Sequence, residues 1–533
     1  MQRPRSNPLL EGGGIELQQA EAGFEPCAQD DELLEADKAE AAPARADART
    51  NASRPTHTGA RTNASRLGFW LGVVAYAAVL AASAARRRAA PAPAAACGAC
   101  GALMIVWWLT RCVPLGVTSL LPVVLLPASG AADARLVSSA YLSDPLMLFL
   151  GSFLVAAALE RHDLHARVAS CLLRRFDRRG DAPRRLLLGV IVATASLSMW
   201  TSNTATAAMM APLAATAAAG GDESLRDAVA VAVALSSSLG GLTTLVGTGP
   251  NVVLAGLVGD RVAFASWFAF AAPVGLVGNA CLWAILVRRF KVPARVAGRA
   301  SAAEGPPPPL SAAQRRVLGV CGAMIVCWLF RLRRFGVPGW SELLPEPGFA
   351  TDGTVAMAAA LALFLSDALP WSAVRDLPWE SMFLLGGGVA LSSGAKASGL
   401  AASIGDSVIA GASREHVVVV AALLACLLSN GVSNVATANV ILPLVACVDD
   451  PLPALCAVTM ACSFAFCTPI ATPPNAIAFA TAPTLATRTL AAVGLQLTLV
   501  CLALLAAVSA FVLPAALPGG GDDEALCAST LFR

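Results

Sequence analysis

From Leu67 onward the chain alternates between apolar runs and short connections rich in Gly, Pro, Ser or Arg. The clearest apolar runs are Leu67–Ala85, Ala96–Thr110, Phe264–Val287, Val317–Phe330 and Leu495–Leu513. A helix crossing a bilayer needs roughly 17–25 such residues. The pattern predicts an all-α polytopic membrane protein with about eleven transmembrane helices. Two polar stretches interrupt it, "TSNTATAAMMAP" at Thr201–Pro212 and "VSNVATANVILP" at Val432–Pro443. Each reads Ser-Asn, one variable residue and Ala-Thr-Ala, with Pro ten places after the Ser.

Composition agrees with a bilayer environment. Of 533 residues, 56% are hydrophobic and only 14% charged, where a soluble domain carries about 25% charged residues. The small net charge matters less than its placement. Eight arginines lie between Arg161 and Arg185, and seven basic residues between Arg288 and Arg316. The positive-inside tendency makes both loops cytoplasmic. Apolar spans flank both, so neither is a nucleic-acid-binding patch. Arg86–Arg88 and Arg331, Arg333 and Arg334 fit the rule less well.

The fifteen cysteines lie mostly inside apolar segments, where Cys behaves as a small hydrophobe. Cys97 and Cys100 have redox or metal spacing, but they open an apolar helix of small residues and read as packing. The four histidines, His57, His162, His165 and His416, lie outside the membrane runs. No metal signature is visible. Residues 1–66 are Gly-, Ala- and acid-rich and read as a disordered cytoplasmic tail. Their eleven acids argue against a transit peptide.

The chain is written twice. "MIVWWLTR" (Met104–Arg111) returns as "MIVCWLFR" (Met324–Arg331), and Gly151 in "LFLGSF" lies opposite Gly386 in "FLLGGG". The Ser-Asn stretches recur 231 residues apart, and "GTGPN" (Gly247–Asn251) returns as "ATPPN" (Ala471–Asn475) 224 residues later. The resulting layout is a first transmembrane helix at 67–89, repeat 1 at 90–290, a basic and Pro-rich cytoplasmic linker at 291–315, repeat 2 at 316–515 and a tail at 516–533. Repeats in transporters often have inverted topology, with the substrate site at mid-membrane where discontinuous helices meet. Re-entrant hairpins at 186–220 and 415–449, with helices unwound near 247–251 and 471–475, satisfy that scheme.

The polar stretches then acquire a chemical purpose. Non-helical backbone at membrane depth is tolerated only when buried in protein or lining a wet cavity. A hairpin tip leaves carbonyls at one half-helix and N–H groups at the next unpaired. Carbonyl and hydroxyl oxygens suit a hard monovalent cation, and the N–H groups at a positive dipole end suit an anion. "GTGPN" and "ATPPN" break a helix within a span, because Pro lacks an N–H and Gly tolerates unusual backbone angles. A hairpin tip facing an unwound helix, present twice, gives two related cation sites around one anion site. Ser, Thr and Asn can also simply glue helices together; four segments paired across a repeat favour the site. No Asp or Glu lies in these motifs, which argues against a carboxylate proton relay.

At these residues the sequence resembles the divalent anion:sodium symporter family, sodium-coupled carriers of dicarboxylates, citrate and sulfate. The resemblance spans about residues 95–515. Its most specific element is "CSFAFCTPIATPPNAIAFA" (Cys462–Ala480), supported by "SNTATAAMMAP", "SNVATANVILP", "VPLGVTSLLPVVLLP" (Val113–Pro127) and "LPWESMFLLGGG" (Leu377–Gly388). It implies a first sodium site of Ser198, Ser202, Asn203 and the backbone around Gly247. A second would use Ser429, the Val432 backbone, Asn434 and the backbone around Ala471. Substrate carboxylates would meet Asn203, Thr204 and Thr248 from one half, and Asn434, Val435, Thr472 and Pro473 from the other.

Val435 stands where many members have Thr and removes one hydroxyl donor; Arg111 replaces a commonly acidic residue. The resemblance further implies a homodimer and an elevator-like motion. Thr472 before the double Pro favours C4 dicarboxylates such as succinate, malate or fumarate over sulfate, with citrate as an alternative. Na⁺ is the expected coupling ion, with no other cofactor or metal; membrane lipid and the small anion are the other expected partners. A sodium-independent exchanger, an intramembrane enzyme and a transport-dead sensor are the rival readings. The enzyme lacks a visible nucleophile–base or metal constellation. Plasma and internal membranes are equally compatible with the sequence.

Overall fold

The computed structural model describes residues 63–85, 92–176, 181–296, 309–333, 338–346, 348–403, 414–446 and 451–511. Residues 1–62 of the tail, 297–308 of the linker, 447–449 at the end of the second hairpin segment and the C-terminal tail lie outside them. Arg86–Arg88, Arg334 and His57 do as well. The described residues form helices and short 3₁₀ turns, without strands.

In chain order the helices are α1 (Asn63–Ala85), α2 (Ala92–Thr110), α3 (Leu115–Thr118), α4 (Leu121–Ala128), α5 (Ala134–Ser139) and α6 (Asp144–Arg161). Next come α7 (Leu164–Phe176), α8 (Pro183–Ser198), α9 (Asn203–Ala217), α10 (Glu223–Gly241), α11 (Gly249–Val258) and α12 (Phe264–Arg289). The second part holds α13 (Ala312–Leu329), α14 (Asp352–Leu365), α15 (Trp379–Ala397), α16 (Arg414–Ser429), α17 (Asn434–Val445), α18 (Pro451–Cys462), α19 (Pro473–Thr481) and α20 (Thr487–Phe511). Among the described residues six helical segments are long and apolar enough to cross a membrane: Asn63–Ala85, Pro93–Thr110, Ala134–Arg161, Phe264–Arg289, Ala312–Leu329 and Thr487–Ala510. Their exposed faces carry Leu67, Trp70, Val74, Leu276, Val326 and Leu499, which a bilayer, unlike water, would solvate.

Hydrogen bonds between segment ends define two poles. At the basic pole, Arg184 donates to the Val292 carbonyl (2.8 Å), Ser224 to Phe290 (2.5 Å), and Gln314 to His162 (3.0 Å), while the His162 ring meets the Ala368 carbonyl at 2.8 Å. This pole gathers the ends of α6, α12 and α14 with the starts of α8, α10 and α13. At the opposite pole the Asp352 carboxylate accepts from the Phe264 N–H (2.7 Å) and from Arg331 (2.6 Å), and Trp328 donates to the Asp352 carbonyl (3.0 Å). There α13 ends while α12 and α14 begin. The Arg331–Asp352 pair is buried, and Arg331 also donates to the Ala350 carbonyl.

Small residues set the packing. Every residue of α10 from Ala228 to Gly241 is buried, because its Ala, Ser and Gly side chains let neighbours approach closely. A Cβ at Gly240 would collide with the Ala195 carbonyl of α8. Likewise Gly151 of α6 lies against the Ala356 backbone of α14. Cys97 and Cys100 are buried in α2 as free thiols.

Candidate functional site

Both polar stretches open a half-helix. α8 ends at Ser198 and α9 starts at Asn203, with Ser202 as N-cap accepting from the Ala205 N–H (3.1 Å). Thr201 and Thr206 hydroxyls meet at 2.6 Å across the turn. α10 ends at Gly241, and the chain is irregular until α11 begins at Gly249, with Pro250 in its first turn and Thr248 as N-cap. Leu242, Thr244 and Gly241 carbonyls left behind by this break converge on the Asn251 Nδ2, at 3.3, 2.7 and 3.5 Å. Thr244 in turn donates to the Met199 carbonyl of the hairpin tip (2.5 Å).

Around that tip the oxygens assemble. Buried Ser198 donates to Asn203 Oδ1 at 2.7 Å. A Cβ on Gly241 would collide with the same Asn203 oxygen and meet the Gly247 carbonyl. Ser198, Asn203 and Gly247 therefore share one small volume. The Ser202 hydroxyl uses one lone pair for capping and keeps the other, and Thr204 is exposed.

The second copy repeats the design. α16 ends at Ser429 and α17 begins at Asn434; α18 ends at Cys462 and α19 begins at Pro473 behind the N-cap Thr472. Asn475 Nδ2 donates to the Thr468 and Ala465 carbonyls at 2.9 and 3.0 Å, the counterparts of Thr244 and Gly241. Thr468 donates to the Asn430 carbonyl at 2.7 Å, as Thr244 does to Met199. Ser429 Oγ and Asn434 Oδ1 are buried without a hydrogen-bond partner. Val432 continues the turn by donating its N–H to the Leu428 carbonyl (2.8 Å), Ala471 is buried, and Pro473 is exposed.

The two copies meet. A Cβ on Gly249 would collide with Val435 Cγ2, so the start of α11 lies against the start of α17. With Asn203 against Gly247 and Asn430 against Thr468, the N-termini of α9, α11, α17 and α19 come together. Each presents a positive dipole end; α9 and α17 add unpaired N–H groups and α11 that of Gly249, whereas α19 opens with Pro473 and Pro474 and its Asn475 N–H is taken by Thr472 Oγ1 (3.4 Å). The motifs that line this region, residues 198–206, 241–251, 429–437 and 463–475, contain no charged side chain. Such a site offers an anion backbone donors, and flanks them with neutral oxygens suited to a small cation.

Sequence reasoning passed over Asn251, Asn475 and Asn430 as functional residues. The first two hold the unwound segments in shape, and their recurrence at matching places in "GTGPN" and "ATPPN" was the available signal. Asn430 has no counterpart in the first copy, so repetition could not reveal it.

Apolar helices sized for a bilayer, beside helix breaks gathered around uncharged polar residues, fit an integral multi-pass membrane protein. The family model described as citrate transporter matches residues 105–450, and the chain belongs to that family of divalent anion:sodium symporters. It is 33% identical over 453 residues to the sodium-dependent dicarboxylate transporter SdcS of Staphylococcus saprophyticus, an alignment covering 76% of this chain and 84% of that one. It is 32% identical over 485 residues to the Na(+)/citrate cotransporter of Rattus norvegicus, covering 71% and 83%. Among solved structures it is similar to the Alcanivorax borkumensis YdaH transporter, with a TM-score of 0.47 and 16% identity over 70% of this chain and 85% of that one.

Proposed function

We propose that the protein is a sodium-coupled symporter of divalent organic anions, with C4 dicarboxylates as substrates. The observation that carries this reading is the meeting of four half-helix N-termini flanked by two Ser/Asn/carbonyl clusters. The anion would take N–H donors at the starts of α9, α11 and α17 and the positive dipole end of α19, with Asn203, Thr204 and Thr248 on one side and Asn434, Val435, Thr472 and Pro473 on the other. Val435 brings no hydroxyl, so its arm would rely on Asn434 and backbone.

Sodium as co-substrate fits the donor set. Ser198, Ser202, Asn203 and the Gly247 backbone would serve one ion; Ser429, Val432, Asn434 and the Ala471 backbone would serve the other. A buried oxygen without a partner costs about 1–3 kcal/mol, and an ion at Ser429 Oγ and Asn434 Oδ1 would offset that cost. Each ion would also fix the turn that presents the anion's N–H donors, so that binding of one favours binding of the other. The similarity to a dicarboxylate and a citrate carrier supports the substrate class; Thr472 in "ATPPN" favours a carboxylate over sulfate.

Inverted repeats are supported by where the paired elements end. α2 finishes near the start of α15, where the Gly116 N–H lies 3.5 Å from Glu380, and α15 follows the α14 end at the basic pole. The repeat partner of α2, α13, finishes at the opposite pole beside Asp352. Similarly α11 leads to the start of α12 at Asp352, whereas α19 leads to Thr484, which donates to Asp227 near the basic-pole start of α10 (2.7 Å). Hairpins and unwound helices would travel together as an elevator against a scaffold that holds a homodimer.

The test is uptake of labelled succinate into proteoliposomes under an inward sodium gradient, against an equal potassium gradient. Sodium-dependent uptake that falls at least tenfold in Asn203→Ala and in Asn434→Ala is expected, with weaker competition by citrate and sulfate than by malate. Uptake indifferent to sodium but requiring internal dicarboxylate would replace symport by exchange.

A further inference from the structure

We infer that the two cation half-sites are unequal, and that Asn430 is the positioning residue that makes the second one the tighter and first to fill. This inference rests on the sodium-coupled reading above. Corresponding positions of the two hairpins are 231 residues apart, which pairs Ser198 with Ser429, Met199 with Asn430, Thr201 with Val432, Asn203 with Asn434 and Thr206 with Thr437.

In both copies a threonine of the unwound segment donates to the tip carbonyl, of Met199 or of Asn430. Beyond that bond the copies diverge. The Asn430 carboxamide donates to the Cys426 carbonyl (2.8 Å) and the Phe464 carbonyl (3.3 Å) and accepts from the Cys467 N–H (2.8 Å). It thus ties the last turn of α16 to the unwound segment on both sides of its bend. A thioether at Met199 cannot make this staple.

The oxygens follow the same division. In the first copy Ser198 hydrogen-bonds Asn203, and Thr201 bonds Thr206; the half-site satisfies itself. In the second copy Ser429 Oγ, Asn434 Oδ1 and Thr437 Oγ1 are buried without partners. Val432 at the Thr201 position removes the partner that Thr437 would otherwise have. In the first half-site one lone pair of Asn203 Oδ1 is committed to the Ser198 hydroxyl, so an ion there has fewer uncommitted oxygen lone pairs to meet. The second is held open by the Asn430 staple, with its lone pairs uncommitted. Affinity gained by holding ligands in place before binding is the general effect of preorganisation.

Sodium activation of anion uptake decides the matter, measured with the full chain in proteoliposomes. Asn430→Met, which gives the second tip the residue of the first, is expected to raise the half-saturating sodium concentration about three- to tenfold, the scale of one or two lost hydrogen bonds. The anion KM at saturating sodium should stay within about twofold of wild type. Asn430→Gln keeps a neutral carboxamide one methylene further out, so it should fall between wild type and Asn430→Met. Should Asn430→Met fail to assemble, the glutamine variant alone decides by the same criterion. Sodium-dependent wild-type uptake with an unchanged sodium requirement in the variant overturns the inference and leaves the symporter standing. An equal rise in anion KM overturns it as well, because that is what a merely loosened site would give. Wild-type uptake indifferent to sodium removes both.

Discussion

Val435 and Gly249 mark one place where the two copies of the polar motif touch. The isopropyl group of Val435 occupies the space that a side chain at position 249 would need. Gly249→Ala therefore forces Val435, and with it the start of α17, away from α11. Overpacking of this kind costs about 1–3 kcal/mol. Expressed at the transport step, that is a fall in initial uptake rate of roughly tenfold. Gly249→Ala combined with Val435→Ala removes the colliding Cγ2 and should recover most of the rate. If the double variant is as slow as the single one, the two half-sites do not communicate through this contact. The same logic makes Gly241 sensitive, since a side chain there strikes Asn203 Oδ1. None of these contacts could be read from the sequence, where Gly241 is one of many glycines in an apolar run and Val435 shows only the absence of a hydroxyl.

Among the elements, α13 and α14 show why charge patterning along the chain misleads at one place. Arg331 and Arg333 sit at the pole opposite the basic loops, against the positive-inside tendency. Neither acts as a free flanking charge. Arg333 pairs with Glu342 at 2.9 Å, and its guanidinium holds that carboxyl below the usual range. Arg331 is buried against Asp352, whose second oxygen caps the start of α12 at Phe264. Removing one partner of a buried pair costs about 3–5 kcal/mol because the other charge is left uncompensated. Arg331→Met should therefore lower the unfolding temperature of the protein in lipid nanodiscs by several degrees. Asp352→Asn, which leaves the buried Arg331 guanidinium uncompensated, should lower it at least as much. An unshifted melting curve for Arg331→Met would mean that the pair does not hold these helix ends together. By contrast, the broken helices were legible from the start: Ser, Thr and Asn in an oily run, and Gly-Pro or Pro-Pro at matching offsets, have no cheaper explanation at membrane depth.

For the whole molecule, the decisive geometry is direction. A chain copied twice can place its second copy parallel or inverted, and the repeated sequences alone are compatible with both. The ends of paired elements carry the distinction. α11 runs to the turn at Gly259, which leads to α12 at the pole of Asp352, while α19 runs to Thr484 and Ala486 beside the basic-pole start of α10. If the basic loops face the cytoplasm, a cysteine at Gly259 lies outside and one at Ala486 lies inside. A side chain at Gly259 meets nothing within 4 Å, and Ala486 is exposed. Exposed Cys171 belongs to α7 beyond the basic-pole end of α6 and serves as an internal reference. In intact cells an impermeant maleimide should label Gly259→Cys, in a Cys171→Ser background, and should label Ala486→Cys only after permeabilisation. Wild-type Cys171 should behave as Ala486→Cys does. Labelling of Gly259→Cys and Ala486→Cys from the same side would mean a parallel duplication. The proposed approach of half-helix N-termini to one anion from opposite sides of the membrane would then fail, and the proposed alternating-access scheme would have to be abandoned.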